Sequence, residues 1–314
     1  MKLLMLGAGS VGGFFGGLLQ EGGADVTFLV RPKRAAQLRE RGLRIEGPHG
    51  NLHLPQLQLL ESGAQPGAAF DAVILSCKAY DLPDAIDSIR PYVQKHTFVL
   101  PLLNGLKHLD VLDQTFGASR VLGGLAQVSA TLDADGDIRQ LTDAQSLVYG
   151  PRAETQPASV GALESALKLG AFEARLSRNI MLEMWEKYVL LASLAAMTCL
   201  MRANVGEIVA TQDGAALMAR MLDDCAAVAA TSGNAPRANY MTSIKSLLTQ
   251  RNSVLEASMR RDMAQGRPTE ADHVVGDMLR RAQAGNIESK LLKSAYCHLQ
   301  AYEHRRMAGA SDVR

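Results

Sequence analysis

Short apolar runs alternate with amphipathic stretches through the first half of the chain. The apolar runs are bounded by Gly, Pro, Asp or Ser, which favours buried β-strands, and apolar spacings of three and four between them favour helices. The predicted strands are 2–6, 26–30, 72–76 and 97–100, and the predicted helices are 11–21, 33–41, 82–89 and one that ends near 116. Strands that alternate with helices predict a parallel α/β sheet.

The pattern changes twice further along the chain. Turn residues separate short β-like runs, which predict a hairpin and a set of antiparallel strands at 43–46, 51–54, 128–132, 138–141 and 146–149. A helix at 161–169 and a strand at 172–176 end this half. From about residue 178 only helical patterns remain, at 181–201, 214–231, 244–265 and 270–284. The sequence therefore predicts an α/β domain over 1–177 and an all-α domain over 178–314.

Composition narrows the classes of function. The 314 residues suit two domains, and 33 Lys plus Arg against 32 Asp plus Glu leave a net charge of +1, which does not favour a nucleic-acid partner. The four cysteines form no Cys-x-x-Cys pair, so we predict neither a metal site nor disulfides, and reduced thiols suit the cytoplasm. The apolar run at 188–201 is shorter than the roughly 18 residues that span a membrane, so it predicts a buried core helix and no membrane partner.

A glycine motif follows the first predicted strand and opens the first helix. Its residues are Gly7, Ala8, Gly9, Ser10, Val11 and Gly12, in the pattern G-x-G-x-x-G. In a βαβ unit this pattern predicts a Rossmann-type dinucleotide-binding domain, whose glycines permit a tight turn, close approach of the pyrophosphate and close helix packing. A glycine-rich turn without a ligand is the alternative interpretation.

The end of the second strand indicates which dinucleotide is bound. NAD-binding sites usually place an acid there for the ribose 2′-hydroxyl, whereas this chain continues with Arg31, followed by Lys33 and Arg34. A guanidinium suits a 2′-phosphate, so we predict NADP(H) with Arg31 as a ligand of the phosphate. The alternative, three solvated surface charges, fits Lys33 and Arg34 better than Arg31.

Several further segments, in their order and spacing, resemble the ketopantoate reductase (2-dehydropantoate 2-reductase) family over nearly the whole chain. They are the glycine motif with 76–80, 103–105, 184–187, 205–208, 257–259 and 269–270. The resemblance implies NADPH-dependent reduction of a 2-oxo acid, first of all 2-dehydropantoate to pantoate in the pantothenate pathway. A small-molecule 2-oxo acid is thus the expected partner, and the long helical half offers surface for a homodimer.

The resemblance also implies roles for individual residues. Lys187 would be the general acid, with Glu270 near it and near the cofactor ribose. Asn104 would contact the nicotinamide ribose and the substrate, Lys78 would lie beside the cofactor, and Ser258 would bind the substrate carboxylate. From the residues alone each has another interpretation, since Lys187 could be an exposed lysine, Glu270 a helix-dipole acid, Asn104 part of a turn and Ser258 a surface serine.

The chain departs from the family pattern beyond Lys187. Asparagines commonly follow the lysine at four and eight residues and would hold substrate hydroxyls, but here Leu191 and Ala195 stand at those positions. A pocket without partners for a hydroxyl favours a more apolar 2-oxo acid. Two alternatives therefore stay open, a reductase of such an acid and a non-catalytic NADP(H)-binding sensor. The sensor would need neither Lys187 nor Glu270.

Overall fold

The computed structural model describes residues 1–64, 67, 69–152 and 160–309. The chain divides into two compact units, one of Met1–Leu103 with His108–Ile180 and one of Asn104–Lys107 with Met181–Arg314. The predicted fold class is confirmed, because the first unit contains a parallel sheet with helices and the second is helical. The tetrapeptide 104–107 groups with the helical unit, which the sequence pattern did not predict.

Ten strands and twelve α-helices make up the described part of the chain. The strands are β1 (Lys2–Leu6), β2 (Asp25–Val30), β3 (Leu43–Gly47), β4 (Gly50–Leu54), β5 (Gln58–Glu61), β6 (Ala72–Leu75), β7 (Phe98–Pro101), β8 (Gly123–Leu132), β9 (Ile138–Gly150) and β10 (Glu173–Leu176). The helices of the first unit are α1 (Ser10–Glu21), α2 (Pro32–Arg41), α3 (Leu82–Ile89), α4 (Lys107–Phe116) and α5 (Val160–Leu167). Those that follow are α6 (Ile180–Met201), α7 (Val205–Val209), α8 (Gly214–Thr231), α9 (Ala238–Leu248), α10 (Ser258–Ala264), α11 (Asp277–Ala284) and α12 (Lys290–Met307).

The first sheet has the parallel order β5-β2-β1-β6-β7 that a dinucleotide-binding unit requires. Beyond their exposed first residues its central strands are almost entirely apolar, and the side chains of Leu3, Leu4 and Met5 are fully buried. Strands covered on both faces lose the apolar–polar alternation of a half-exposed sheet, which is why continuous apolar runs identified them. The short edge strand β5 was missed, because its partly exposed residues give no such run.

A second sheet in the first unit has the order β10-β9-β3-β4, with β8 paired to β9. The prediction of separate strands at 138–141 and 146–149 is wrong, since both belong to the 13-residue β9. Residues 141–144 are exposed and have no partner in β8, because the register shifts between the pairs Val128–Gln145 and Ala130–Gln140. A bulge of this kind lets two strands remain paired where the side-chain pattern suggests a turn.

The predicted helix 244–265 is also wrong, because it is divided into α9 and α10. Between them Asn252 has φ of 60°, and the backbone of Ser253 and Leu255 accepts hydrogen bonds from Gly206 and Val205 at the start of α7. These tertiary hydrogen bonds give the two carbonyls their partners, so the segment does not need helical hydrogen bonds there. Sequence analysis did not predict α12, and the predicted helix 270–284 contains a π-helical turn at Asp272–Gly276 before α11.

The apolar run at 188–201 lies in α6, which is long and apolar enough to cross a membrane by length and composition alone. In this structure 72% of its most apolar window is buried inside the protein. The predicted core helix is therefore confirmed, and Lys187 lies on this helix.

Candidate active site

The glycine motif forms the turn between β1 and α1, as predicted. Gly7 has φ of 89°, a left-handed conformation that favours glycine, and a Cβ on Gly12 would collide with the Gly7 carbonyl and the Ser76 hydroxyl. A Cβ built on Gly9 meets no described atom within 4 Å, so the backbone there is open to a ligand. Gly9 is the N-cap of α1, and the helix dipole at this end favours an anion. The turn therefore has the form of a cradle for a pyrophosphate.

Two of the cations after β2 have different environments. Arg31 is two-thirds exposed and its guanidinium lies 3.0 Å from the carboxylate of Asp81, which raises the pKa of Arg31. Arg34 is not a solvated charge, because it donates to the Ala8 carbonyl at 3.1 Å and to the Gly136 carbonyl at 3.0 Å. Burial lowers the pKa of Arg34. The exposed guanidinium of Arg31 is thus accessible to a 2′-phosphate. The guanidinium of Arg34, in contrast, is bound to the backbone of the glycine turn.

Lys78 follows β6, and β6 lies beside β1 in parallel. Gly7, which follows β1, and Lys78 are therefore at the same carboxyl edge of the sheet, where doubly wound folds bind their ligands. The side chain of Lys78 is half-buried at the start of the 3₁₀ turn Ala79–Asp81. The first unit accordingly places Lys78, Arg31 and the glycine turn along one edge region.

In the second unit Lys187 and Glu270 are electrostatically coupled. Lys187 lies on α6 with a half-buried side chain, and burial lowers its pKa to about 8, although the Glu270 carboxylate opposes that shift. Glu270 is only 8% exposed. An ammonium with a pKa near neutrality, next to a buried carboxylate, is suited to proton donation.

Both chain neighbours of Lys187 are anchored to other helical elements. The buried Glu186 carboxylate accepts hydrogen bonds at 2.9 Å from the backbone N–H and the Nε–H of Arg237, next to α9. The Tyr188 hydroxyl donates to the Val274 carbonyl at 2.7 Å, in the π-helical turn. Because both sides of this helical turn are fixed, the direction in which Lys187 leaves α6 is fixed as well.

The π-helical turn also holds Asn104. The imidazole of His273 hydrogen-bonds to the backbone of Asn104, and burial lowers the pKa of His273. Gly105 has φ of 79°, and a Cβ there would lie 3.2 Å from the His273 ring. Lys107 Nζ lies 2.7 Å from the Asp272 carboxylate, so the tetrapeptide 104–107 is tied to this turn at two points.

Ser258 occupies a different position. It is exposed at the first turn of α10, and the preceding N–H, of Ala257, lies 3.4 Å from the Thr198 hydroxyl on α6. Thr198 is about 16 Å along α6 from Lys187, at 1.5 Å per residue. The structure thus brings Asn104, Glu270 and Lys187 together around one turn, and the described contacts do not join Ser258 to that group. Within the described ranges, no group of three or more His, Cys, Asp or Glu residues could hold a metal ion.

Comparison with known proteins identifies the family. The model of ketopantoate reductase PanE/ApbA matches residues 3–154, and the model of its C-terminal domain matches residues 179–303. The chain belongs to the ketopantoate reductase family. As a member of that family it is an oxidoreductase that acts on a CH–OH group.

Individual relatives of this ketopantoate reductase family member differ in their described activity. The chain is 34% identical to the uncharacterized oxidoreductase YkpB of Bacillus subtilis, over 96% of this chain and 99% of that protein. It is 26% identical to the 2-dehydropantoate 2-reductase of Pyrococcus horikoshii, over 93% and 94%. Two solved structures share the fold. A ketopantoate reductase of Ralstonia eutropha superposes with a TM-score of 0.86 at 23% identity, over 98% of this chain and 100% of that chain. A D-mandelate dehydrogenase with NADH and anilino(oxo)acetate superposes with a TM-score of 0.87 at 21% identity, over 98% of this chain and 100% of that chain.

The departure from the family pattern is visible on α6. Leu191 is half-buried and Ala195 is 4% exposed. The nearby hydroxyls of Ser193 and Thr198 both donate to the α6 carbonyls four residues earlier, at 2.7 Å. These hydroxyls are engaged by the helix and do not replace the amide groups of asparagine.

The sequence did not reveal the roles of three residues near the proposed site. It leaves Arg34 open between a cation that meets the cofactor and a solvated surface charge, and it singles out neither Asp81 nor His273. The lack of an acid after β2 was the one signal that could have prompted a search for Asp81. Arg34 and His273 act on backbone carbonyls that are distant in sequence, and no local pattern marks such contacts.

Proposed function

We propose that the protein catalyses the NADPH-dependent reduction of a 2-oxo acid to the 2-hydroxy acid, with 2-dehydropantoate as the first substrate to test. Residues 1–177 would form the NADP(H)-binding domain and 178–314 the helical substrate domain. The observation that carries the proposal is Lys187, whose pKa of about 8 accompanies a position beside the buried Glu270. The protein would act in the cytoplasm, where the reduction of 2-dehydropantoate to pantoate would be a step of pantothenate synthesis.

The cradle at the glycine turn fits a dinucleotide, since the open backbone at Gly9 and the dipole of α1 suit its pyrophosphate. Arg31 would hold the 2′-phosphate, and Lys78 and Asn104 would contact the cofactor, with Glu270 at its ribose. When bound, the reduced nicotinamide supplies the hydride for the substrate carbonyl carbon. Ala8, Ser10 and Val11 would complete the phosphate-binding turn.

The residues of the chain supply the proton and the charge stabilisation. As the carbonyl becomes an alkoxide, the Lys187 ammonium would stabilise the oxygen and donate its proton to it. Asn104 would orient the substrate, and Ser258 would bind its carboxylate. Glu270 keeps the pKa of Lys187 higher than burial alone would set it, so that the proton is available near neutral pH.

Lys187→Ala tests this proposal. The wild type should oxidise NADPH with 2-dehydropantoate, and the variant should lose about 10²- to 10⁴-fold in kcat while it still binds NADPH. Lys293→Ala, on the exposed surface of α12, is the matched control and should keep full turnover. NADPH binding without turnover of any 2-oxo acid would support the sensor instead.

Leu191 and Ala195 favour a second candidate, a reductase of a more apolar 2-oxo acid. A panel of branched-chain and aromatic 2-oxo acids should then give higher kcat/KM than 2-dehydropantoate. The double variant Leu191→Asn with Ala195→Asn should move the preference toward 2-dehydropantoate, since the amides restore partners for hydroxyls. An unchanged preference would show that these two positions do not select the substrate.

Gel filtration with light scattering would test whether the protein forms the homodimer for which its helical half offers surface.

A further inference from the structure

The environment of Arg31 contains a carboxylate that a simple 2′-phosphate site does not need. Asp81 ends the 3₁₀ turn after Lys78, and its Oδ1 lies 3.0 Å from a terminal nitrogen of Arg31. The Arg31 side chain is 67% exposed and that of Asp81 is 32% exposed, so a ligand in solution can reach both. Asp84 contributes a further, smaller negative charge near Arg31.

A carboxylate near the end of the second strand can bind the ribose of a dinucleotide. NAD-binding Rossmann-type units end the second strand with a carboxylate that accepts hydrogen bonds from the adenosine ribose. In this chain β2 ends with Val30, and Arg31 follows directly. Asp81 comes from the segment after β6, two strands away in the sheet, and brings a carboxylate to the residue that follows β2.

The same carboxylate opposes a 2′-phosphate. A phosphomonoester carries close to two negative charges near neutral pH, and it competes with Asp81 for the same guanidinium. Arg34 cannot compensate, since its Nε and one terminal nitrogen donate to the carbonyls of Ala8 and Gly136. Lys33 is exposed, so its ammonium could approach the phosphate only from the solvent side.

We propose that Asp81 is a second determinant of cofactor choice, which binds the ribose hydroxyls of NADH and weakens NADPH, so that the Arg31–Asp81 pair accepts both dinucleotides. The inference rests on the proposed function, because it requires a dinucleotide on the glycine turn. In NADH the ribose would use Asp81 as its acceptor, and Arg31 would remain paired. In NADPH the phosphate would take Arg31, at the cost of the ion pair.

Binding measurements on the full chain test the proposal without any turnover. Isothermal titration with NADPH and with NADH gives the two Kd values for the wild type, Asp81→Ala, Arg31→Ala and Asp84→Ala. Asp81→Ala should bind NADPH about three- to tenfold more tightly and NADH about three- to tenfold more weakly. Arg31→Ala should weaken NADPH and leave NADH nearly unchanged. Asp84→Ala is the matched control, an exposed acid of the same segment without the ion pair, and should change neither Kd beyond twofold.

The outcomes separate this inference from the proposed function. Wild-type protein that binds neither dinucleotide overturns both. Wild-type binding with the same NADPH-to-NADH ratio in Asp81→Ala, or an equal change in Asp84→Ala, overturns the role of Asp81 alone. Circular dichroism of each variant establishes that the fold is retained, as expected for substitutions at accessible side chains.

Discussion

The Tyr188 hydroxyl donates to the Val274 carbonyl at 2.7 Å and lies 3.1 Å from the Asp277 carboxylate. This pair joins α6, one residue after Lys187, to the π-helical turn whose His273 contacts Asn104. π-Helical turns are rare and occur often at functional sites, where they redirect side chains without ending a helix. Two of the proposed active-site residues therefore depend on one short irregular turn.

Tyr188→Phe should uncouple that turn from α6. The substitution leaves the buried Val274 carbonyl without this donor, which should lower the free energy of unfolding by about 1–3 kcal/mol. It should also lower kcat, because only one of the two chain neighbours of Lys187 then remains anchored by its hydrogen bonds. Urea denaturation and steady-state kinetics measure the two effects. Tyr302→Phe, whose hydroxyl donates to the Arg267 carbonyl at an exposed site, should change the stability by less than about 0.5 kcal/mol.

The pH dependence of reduction should follow Lys187. Its pKa of about 8 means that the ammonium needed for proton donation is present below pH 8 and is lost above it. We expect kcat/KM to fall about tenfold per pH unit above pH 8. In Lys187→Arg the descending limb should disappear, since a guanidinium stays protonated throughout this range. A limb that persists in the variant would assign the titration to another group.

Lys187→Met should stabilise the protein while it removes activity. The pKa of Lys187 falls from 10.5 in an unfolded chain to about 8 in the folded protein, so the charged form destabilises the fold below pH 8. At pH 7 the variant should gain about 1–3 kcal/mol in the free energy of unfolding, and the gain should vanish as pH rises from 8 to 10.5. Denaturation at several pH values measures this trend. Lys293→Met, at an exposed position, should show no gain at either pH.

Arg34→Ala should weaken both dinucleotides to the same extent. The guanidinium donates to the Ala8 carbonyl of the glycine turn, which is the proposed site of the pyrophosphate common to NADPH and NADH. We expect about a tenfold increase in both Kd values, which corresponds to about 1.4 kcal/mol. Lys33→Ala, in the first turn of α2 and exposed, provides the comparison and should have a much smaller effect. A loss confined to NADPH would instead place Arg34 at the 2′-phosphate.

Gly105→Ala and Gly117→Ala form a matched pair of substitutions. Both glycines have positive φ, 79° and 88°, so each alanine should cost about 1–2 kcal/mol in stability from backbone strain. A Cβ at Gly117 meets no described atom within 4 Å, whereas one at Gly105 presses on His273. Only Gly105→Ala should therefore also lower kcat, by displacing Asn104. Equal kcat in both variants would remove the proposed link between His273 and Asn104.

Local sequence determined most of the secondary structure and the cofactor-binding turn. Continuous apolar runs such as Leu3–Leu6 need burial on both faces, and the positive φ of the turn after β1 requires the glycine at position 7. The same reasoning failed where distant backbone decides the outcome. Residues 249–257 are not helical because Ser253 and Leu255 among them bond to α7, and 142–144 stay within β9 as a bulge because the residues on both sides of them pair with β8.

Only the tertiary structure decided the environment of each charge. Lys187, Arg31 and Arg34 are equally cationic in the sequence, yet burial lowers the pKa of Lys187, Asp81 pairs with Arg31, and backbone carbonyls engage Arg34. The physical reason is that desolvation and ion pairing depend on groups far apart along the chain, which folding brings within a few ångströms. The sequence by itself determined which residues could do chemistry, and the fold determined how each of them is held.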